Sequence, residues 1–265
     1  MSLYRHETNM CVVALALDAH PEWRIILAGN RDEFHARPSA PLAHWEHADS
    51  HIIAGRDLVS GGTWLGVSEG GRLAVVTNIR TPSPPDPAKA SRGDLVTGYL
   101  RGKNALALDT LDRFNAFSLI TIGPDGATLT ANRPSPMSIP IPAGIHGLSN
   151  GLPHEGWPRK SRLLAAFSEV ISTANDLPDA MMGLLASESI DDSIFIRSNI
   201  YGTRCSTLVL VDYNGAGLIV ERRFGPDGLA DSQTLLRFDF GSTCQKDKML
   251  YNKPNVLEGH TKVTP

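Results

Sequence analysis

The sequence has few cysteines, no long apolar run and no secretion signal, and each of these absences excludes a class of protein. Its cysteines, Cys11, Cys205 and Cys244, are odd in number and widely spaced, which favours free thiols in a reducing compartment. No apolar run approaches the roughly 18 residues of a membrane span, and the N-terminus lacks the apolar core of a signal peptide. We therefore expect a cytoplasmic protein without a transmembrane segment.

Signals for metal and nucleic acid are missing as well. The net charge is −3 and Lys and Arg form no run, which argues against nucleic acid or an anionic membrane as the main partner. Neither CxxC nor HExxH occurs. A proline-flanked stretch carries histidines whose spacing favours a solvated loop over a metal site, namely His35, His44, His47 and His51. We predict no metal and no cofactor.

The composition is that of an ordinary globular protein, since 42% of the 265 residues are apolar and 20% are charged. Strand-like segments lie towards both ends of the chain and helical patterns lie between them, which predicts a layered α+β fold. We expect a single domain over residues 11–240, between a leader 1–10 that is disordered or removed and a disordered polar tail 241–265. The predicted strands are 11–17, 24–28, 63–67, 73–78, 116–122, 127–131, 206–211, 218–223 and 235–240, and the predicted helices are 92–100, 105–114, 159–171 and 178–187.

Cys11 follows Met10 at the head of the first strand-like segment. If translation starts at Met10 and that methionine is trimmed, the Cys11 thiol and a free α-amine share one carbon skeleton, which gives the nucleophile its own base. The alternative is a core thiol, because free cysteine commonly packs as a small apolar side chain. The residue alone leaves both interpretations open.

Four consecutive polar residues, Asn30, Arg31, Asp32 and Glu33, follow the second apolar segment, where a strand is expected to meet a loop. Such positions commonly hold catalytic groups on a rigid scaffold. Arg31 beside a thiol would favour the thiolate, and Asp32 beside an α-amine would orient it and stabilise its protonated form. The alternative is a charged turn with a local surface ion pair.

Further motifs place polar groups beside predicted strands. The glycine-rich segment 61–66 contains Thr63 and Trp64, and it indicates either close packing around a core tryptophan or the wall of a pocket. Asn78 ends another strand, Asn150 lies in an apparent turn, and Arg204 precedes a late strand. An asparagine amide can donate a hydrogen bond to an oxyanion, although Asn-Gly is also a turn signal.

Taken in order, these motifs resemble one family. A cysteine near the N-terminus, Asn-Arg-Asp-Glu, Gly-Gly-Thr-Trp-Leu-Gly, Thr-Asn-x-Arg, Gly-Leu-Ser-Asn and Gly-Thr-Arg-x-x-Thr are similar to the NRDE family, also called the transport and Golgi organisation family. The resemblance extends over residues 11–240. The family in turn resembles the N-terminal-nucleophile hydrolases, especially the branch of choloylglycine hydrolases and penicillin V acylases, which implies a four-layer αββα sandwich.

The resemblance also implies a role for each motif residue. The implied catalytic set is the nucleophile Cys11, the neighbouring Arg31, the amine-holding Asp32, the oxyanion donors Asn78 and Asn150, and the supporting Arg204. The expected substrate-binding set is Asn30, Thr63 and Trp64.

Two functions on this fold stay open. The first is an amidohydrolase that cleaves a non-peptide C–N amide bond through an acyl-enzyme on Cys11. The second is a non-catalytic protein that binds and carries haem or an acyl-CoA or lipid, since a fold does not fix a function. A plain structural or interaction domain is a third interpretation. We expect the partner to be a small molecule with an acyl or amide group, and the sequence leaves homo-oligomer formation open.

Overall fold

The structure is a computed structural model that describes residues 11–103, 107–152, 155–189 and 193–241. The predicted leader, Met10, Cys244 and the predicted tail from residue 242 onwards lie outside the described residues. The assignment of residues 11–240 to a single domain stays a prediction.

Two antiparallel sheets face each other, and helices cover the outer face of each, so the layers follow the order α, β, β, α. The predicted four-layer sandwich is therefore confirmed. The strands are β1 (Val12–Leu17), β2 (Trp23–Phe34), β3 (Ser39–His44), β4 (Ile52–Asp57), β5 (Leu65–Ser68), β6 (Arg72–Asn78), β7 (Phe117–Gly123), β8 (Gly126–Ala131), β9 (Met137–Pro140), β10 (Gly144–Leu148), β11 (Tyr201–Asp212), β12 (Ala216–Phe224) and β13 (Ala230–Asp239). The α-helices are α1 (Gly93–Leu100), α2 (Pro158–Thr173) and α3 (Leu177–Leu185).

The first sheet has the strand order β10-β1-β2-β11-β12-β13, and the second runs β3-β4-β5-β6-β7-β8-β9. β1 is apolar at every position because both faces of its sheet are covered. Val13 and Leu15 point into the core between the sheets, while Val12 and Ala14 point towards α2 and α3. This alternation fixes which face each side chain of the first sheet presents.

The helices pack as their sequences indicate. α2 begins at Pro158 and buries Leu163, Phe167 and Ile171, which recur at helical spacing on one face. The Asp176 side chain caps α3 by accepting from the Asp179 N–H at 3.2 Å. On the second sheet, α1 and the 3₁₀ helix Leu108–Arg113 cover the outer face.

Several predicted boundaries were wrong. β2 continues through Phe34, so the segment 30–33 lies inside a strand and not after one, because it pairs with residues 202–206 of β11. The prediction omitted β3, β4, β9 and β10, and residues 39–44 and 52–57 form a strand pair where a histidine-bearing loop was expected. The predicted helix 105–114 is instead the 3₁₀ helix Leu108–Arg113, and residues 104–106 lie outside the described part.

Within the described residues, no helix is long and apolar enough to cross a bilayer.

Candidate active site

Cys11 lies immediately before β1, between two neighbouring strands. Val12 pairs with Asn30 of β2, and Val13 pairs with Leu148 of β10. Continuing both registers past their last pairs places Cys11 opposite Arg31 on one side and Asn150 on the other. Since Cys11 is two residues from Val13, its thiol shares the face that looks between the sheets.

Arg31 forms an ion pair that joins the two sheets beside this thiol. Its Nη2 donates to Asp57 Oδ2 of β4 at 3.2 Å and lies 3.6 Å from Glu33 Oε2. Asp57 also accepts from Arg37 Nε at 2.6 Å. Burial alone would raise the pKa of Asp57, but the hydrogen bonds and positive charge of the arginines hold it below its usual range. Asp57 is therefore a stable anionic partner that fixes Arg31.

Asp32 points to the opposite face of the sheet, towards the helices. Its Oδ2 lies 2.5 Å from Arg159 Nη1 of α2, and its Oδ1 accepts from Thr203 Oγ1 at 2.7 Å. The side chains of Asp32 and Arg159 are 0% and 7% exposed. Burial raises the pKa of Asp32, while Arg159 and Thr203 oppose that shift. Tyr201 adds a hydrogen bond of 3.0 Å to the Asp32 carbonyl.

The same Asp32 backbone touches the nucleophile. Its hydrogen bonding to the thiol acts to lower the pKa of Cys11, so the ion pair on one face holds the backbone that acts on the thiol on the other. Burial, with the negative charge of Asp32, raises the pKa of Cys11 to about 11, although Arg31 acts in the opposite direction. At neutral pH Cys11 is therefore a thiol and requires a base to become a nucleophile.

Asn30 has a structural role in this arrangement. Its Nδ2 donates to the carbonyls of Leu185 at 2.8 Å and Ile194 at 2.9 Å, and its Oδ1 accepts from Ser206 Oγ at 2.7 Å. The residue is fully buried on the helical side of the sheet. These contacts occupy both amide hydrogens and anchor the end of α3, while contact of Asn30 with substrate stays a prediction.

Two hydrogen bonds join the segments that carry the predicted oxyanion asparagines, Asn78 and Asn150. The Asn150 carbonyl accepts from the Arg80 N–H at 2.7 Å, and Thr77 Oγ1 donates to the Ser149 carbonyl at 3.3 Å. These bonds tie the end of β6, which carries Asn78, to the segment after β10. Asn150 is buried and Asn78 is half-buried.

A cleft of about 480 Å³ opens next to Asn150. Arg80 and Arg133 lie on its wall, and the Arg80 guanidinium lies 5.8 Å from the ring centre of Trp157. Its size suits a small organic molecule. Of the predicted catalytic residues, Asn150 lines this cleft.

Arg204 lies at a bulge in β11, and among the described residues its side chain hydrogen-bonds to backbone carbonyls at and after the end of β2 and not to Cys11. Its Nη1 donates to the carbonyls of Phe34, His35 and Arg37 at 3.0–3.1 Å. Burial lowers the pKa of Arg204, and the nearby positive charge of Arg31 lowers it further. Arg204 therefore holds the loop after β2 and faces Arg31.

Thr63 and Trp64 belong to the inner wall of the same region. Thr63 Oγ1 donates to the Leu65 carbonyl at 2.9 Å, and Trp64 packs against the core between the sheets. Both line a small cavity beside Arg31, away from the cleft at Asn150. A role in binding substrate stays a prediction for these two residues.

Two basic residues near the site, Arg159 and Arg92, were not predicted from the sequence. α2 has two basic residues, Arg159 and Lys160, in its first turn and no acidic one. Positive charge is unfavourable there because a helix N-terminus carries partial positive charge, so this pattern was a usable sign of a buried anion. Arg92 precedes α1, and its charge interacts with Cys11 and Glu33, but its position gave no signal in the sequence.

Among the described residues, no group of three or more His, Cys, Asp or Glu side chains could hold a metal ion.

Comparison with solved structures defines the class of fold. The chain is similar to a Caenorhabditis elegans N-acylethanolamine-hydrolyzing acid amidase ortholog, with a TM-score of 0.51 and 12% identity over 76% of this chain and 92% of that one. Together with the four layers, this likeness identifies the fold as that of the N-terminal-nucleophile hydrolases.

Sequence comparison gives the family. Residues 10–226 match the profile of the family described as Transport and Golgi organisation 2. The human Transport and Golgi organization protein 2 homolog is 30% identical over 270 residues, which cover 85% of this chain and 97% of the human one. The Drosophila melanogaster protein of that name is 26% identical over 250 residues, covering 77% and 88%. The chain belongs to this family, as the motifs predicted.

Proposed function

We propose that this protein is an N-terminal-cysteine amidohydrolase that cleaves a non-peptide C–N amide bond through an acyl-enzyme. The observation that carries the proposal is the position of Cys11 at the head of β1, where Arg31 and the Asp32 backbone act on its thiol and the register with β10 extends towards Asn150. A thiol with an adjacent cation, a backbone donor and an amide side chain is the set of groups that acyl transfer uses.

The raised pKa of Cys11 defines what activates it. With a pKa of about 11, the thiol cannot ionise alone at neutral pH, so a base must take its proton. In a chain that begins at Cys11, the α-amine is the nearest base. Arg31 stabilises the resulting thiolate, and the negative charge of Asp32 supports the α-amine once it is protonated.

The reaction then has two halves. The Cys11 sulfur attacks the amide carbonyl and forms a C–S bond, and the resulting oxyanion accepts hydrogen bonds from Asn150 and Asn78, each worth about 3 kcal/mol. The C–N bond breaks as the α-ammonium passes its proton to the leaving amine. Water then attacks the acyl-enzyme, breaks the C–S bond and releases the acid, and the thiol regains a proton.

The cleft beside Asn150 is the proposed substrate site. The ring of Trp157 offers an apolar surface, while Arg80, Arg133 and Glu155 give the wall charges of both signs. An acyl amide with a short apolar part and an anionic or polar substituent fits such a surface. The nematode structure is named for hydrolysis of N-acylethanolamines, and these compounds therefore belong in the first substrate panel.

The test compares a chain that begins at Cys11 with its Cys11→Ala variant on a panel of N-acyl amides. We expect amine release from the first protein, loss of at least about 1,000-fold in the variant, and a transient acyl adduct on Cys11 by intact mass. An Arg197→Met variant, altered in an exposed ion pair, serves as the control. Full turnover by Cys11→Ala would refute the proposal.

Intact mass and N-terminal sequencing of the protein purified from its own cells decide whether Cys11 carries a free amine. A mature N-terminus at Cys11 supports the mechanism above. A mature N-terminus at Ser2 would exclude it, because Cys11 would then lie inside the polypeptide.

A second candidate function is binding and transport of haem or of an acyl-CoA or lipid, without catalysis. The high pKa of Cys11 favours it, since an unactivated thiol is compatible with a binding site. Calorimetric and absorbance titrations with these ligands test it. Binding that survives Cys11→Ala, together with no hydrolysis across the amide panel, would select this function over the first.

A further inference from the structure

A second, much smaller cavity lies at the end of the sandwich, on the other side of Arg31 from Cys11. Its volume is about 20 Å³, room for a single particle of about the size of a water molecule. We call it the arginine cavity. Its charged lining residues are Arg31, Arg56, Arg204 and Arg223, with Asp57 and Glu221.

Two arginines of this lining have a buried nitrogen that lacks a hydrogen-bond partner in the described part of the chain. They are Arg31 Nη1 and Arg204 Nε. The other contacts of both guanidinium groups hold them in place, since Arg31 Nη2 donates to Asp57 and Arg204 Nη1 donates to backbone carbonyls. Buried donors are almost always satisfied in folded proteins, so two such N–H groups on residues that line one cavity indicate an acceptor near both.

The charge balance of the lining indicates that the acceptor is negative. Four arginines face two carboxyl groups, and Asp57 is already bound to Arg31 and Arg37. Glu221 Oε1 accepts from the Leu42 N–H at 2.8 Å, and burial raises the pKa of this carboxyl. Glu33 Oε2 lies 3.6 Å from Arg31 Nη2, and with this carboxyl counted the arginines still outnumber the carboxyl groups. A partly buried excess of positive charge remains, which an anion would offset.

We propose that the arginine cavity binds one small monovalent anion of the halide class, between the guanidinium groups of Arg31 and Arg204. The small volume favours a monatomic anion over phosphate or a larger oxyanion. Chloride carries the charge that the lining needs and accepts hydrogen bonds from several N–H donors at once. This inference does not depend on whether the protein hydrolyses amides.

The anion has a consequence for Cys11 because Arg31 serves both sites. Arg31 favours the Cys11 thiolate, and an anion on its other side offsets part of that positive charge. Halide binding therefore makes the thiol less reactive while it makes the fold more stable, since a ligand that binds only the folded state stabilises it. The loss of thiol reactivity and the gain in stability should therefore follow the same dependence on halide concentration.

The first experiment measures thermal unfolding of the full chain in sodium bromide, chloride, acetate and gluconate at matched ionic strength. We expect a saturable rise in Tm with bromide and chloride and none with gluconate, which is too large for the cavity. Coincident curves in all four salts would show that the cavity holds only water and would overturn the proposal. A rise in acetate equal to that in bromide would overturn the halide class and assign the cavity to a carboxylate group.

The second experiment follows N-ethylmaleimide labelling of Cys11 by peptide mass mapping in the same salts. The labelling rate should be roughly 3- to 10-fold lower in saturating bromide than in gluconate, which corresponds to a rise of about 0.5 to 1 in the pKa of the thiol. Arg204→Met should lose the halide dependence of labelling and of Tm, and Arg197→Met should keep both.

An unchanged halide dependence in a folded Arg204→Met protein would refute the site. If that variant does not fold, anomalous scattering from bromide-soaked crystals of the unaltered chain decides, and a peak elsewhere or no peak refutes it.

Discussion

Replacing Arg159 with methionine removes the cation from the ion pair with Asp32. The two side chains are 7% and 0% exposed and their charged atoms are 2.5 Å apart. Methionine fills much of the same volume but leaves the Asp32 carboxylate with Thr203 as its remaining side-chain partner. Removing one partner of a buried pair costs about 3–5 kcal/mol, because the other charge stays buried and uncompensated.

Two further contacts add to that loss. Arg159 Nε donates to the Ser193 carbonyl at 2.9 Å, and Nη2 donates to the Ile194 carbonyl at 2.6 Å. The variant therefore also loosens the segment that Asn30 anchors. Set against a typical total stability of about 5–15 kcal/mol, the change should unfold a large share of the molecules at moderate urea concentrations.

The assay is urea unfolding at pH 7.5, monitored by tryptophan fluorescence. Arg159→Met should lower the free energy of unfolding by about 3–5 kcal/mol, whereas Arg197→Met, in a pair that is 45% exposed on both sides, should cost about 0–1 kcal/mol. In the Asp32→Asn, Arg159→Met double variant the loss should be well below the sum of the single losses. Equal costs for Arg159→Met and Arg197→Met, or additivity within about 0.5 kcal/mol, would refute the role assigned to this pair.

Three further predictions concern other parts of the molecule. In the chain that begins at Met1, the rate of maleimide labelling of Cys11 should rise about tenfold per pH unit between pH 7 and 10. The reason is that the pKa of Cys11 is about 11, so the thiolate fraction grows with pH over this range. A plateau of the rate below pH 8 would contradict the raised pKa. Gly62→Ala should lower stability by about 1–3 kcal/mol in a thermal melt, since a Cβ there meets the backbone carbon of Gly93 at 2.7 Å, whereas Gly183→Ala, with open space around it, should be neutral or stabilising. Asn30→Ala should cost about 2–4 kcal/mol in urea, because it leaves buried carbonyl groups of α3 and its following loop without donors; a cost below 1 kcal/mol would contradict its anchoring role.

The sequence was informative where a feature is local. The spacing of Leu163, Phe167 and Ile171 predicted α2, and Asp176 predicted the start of α3, because helix periodicity and caps involve residues a few positions apart. Strands β3 and β10 were not predicted. Each is short and mixes glycine, proline or histidine with few apolar residues, so its strand state depends on neighbours in the sheet.

The residues of the candidate site were predicted where the signal is local and missed where it is not. Arg31 and Asp32 could be connected with Cys11 through short motifs, but the segment was expected to follow its strand. Nothing local therefore indicated that the two residues alternate across the sheet, one towards Asp57 and the other towards Arg159. That depends on the register with β11, whose contacts lie far away in the chain. Asn30 shows the limit of motif reasoning, since the first residue of the motif serves the helical layer.

The pairing of β2 with β11 also determines when, during synthesis, the two central strands of the first sheet can come together. Asn30 and Ser206 meet although they are 176 residues apart in the chain, and loop closure over such a distance slows folding. Until residues 201–212 have left the ribosome, β2 has one open edge, and such an edge invites pairing with other chains. A chain that ends before residue 201 therefore leaves this edge of β2 uncovered, which favours aggregation.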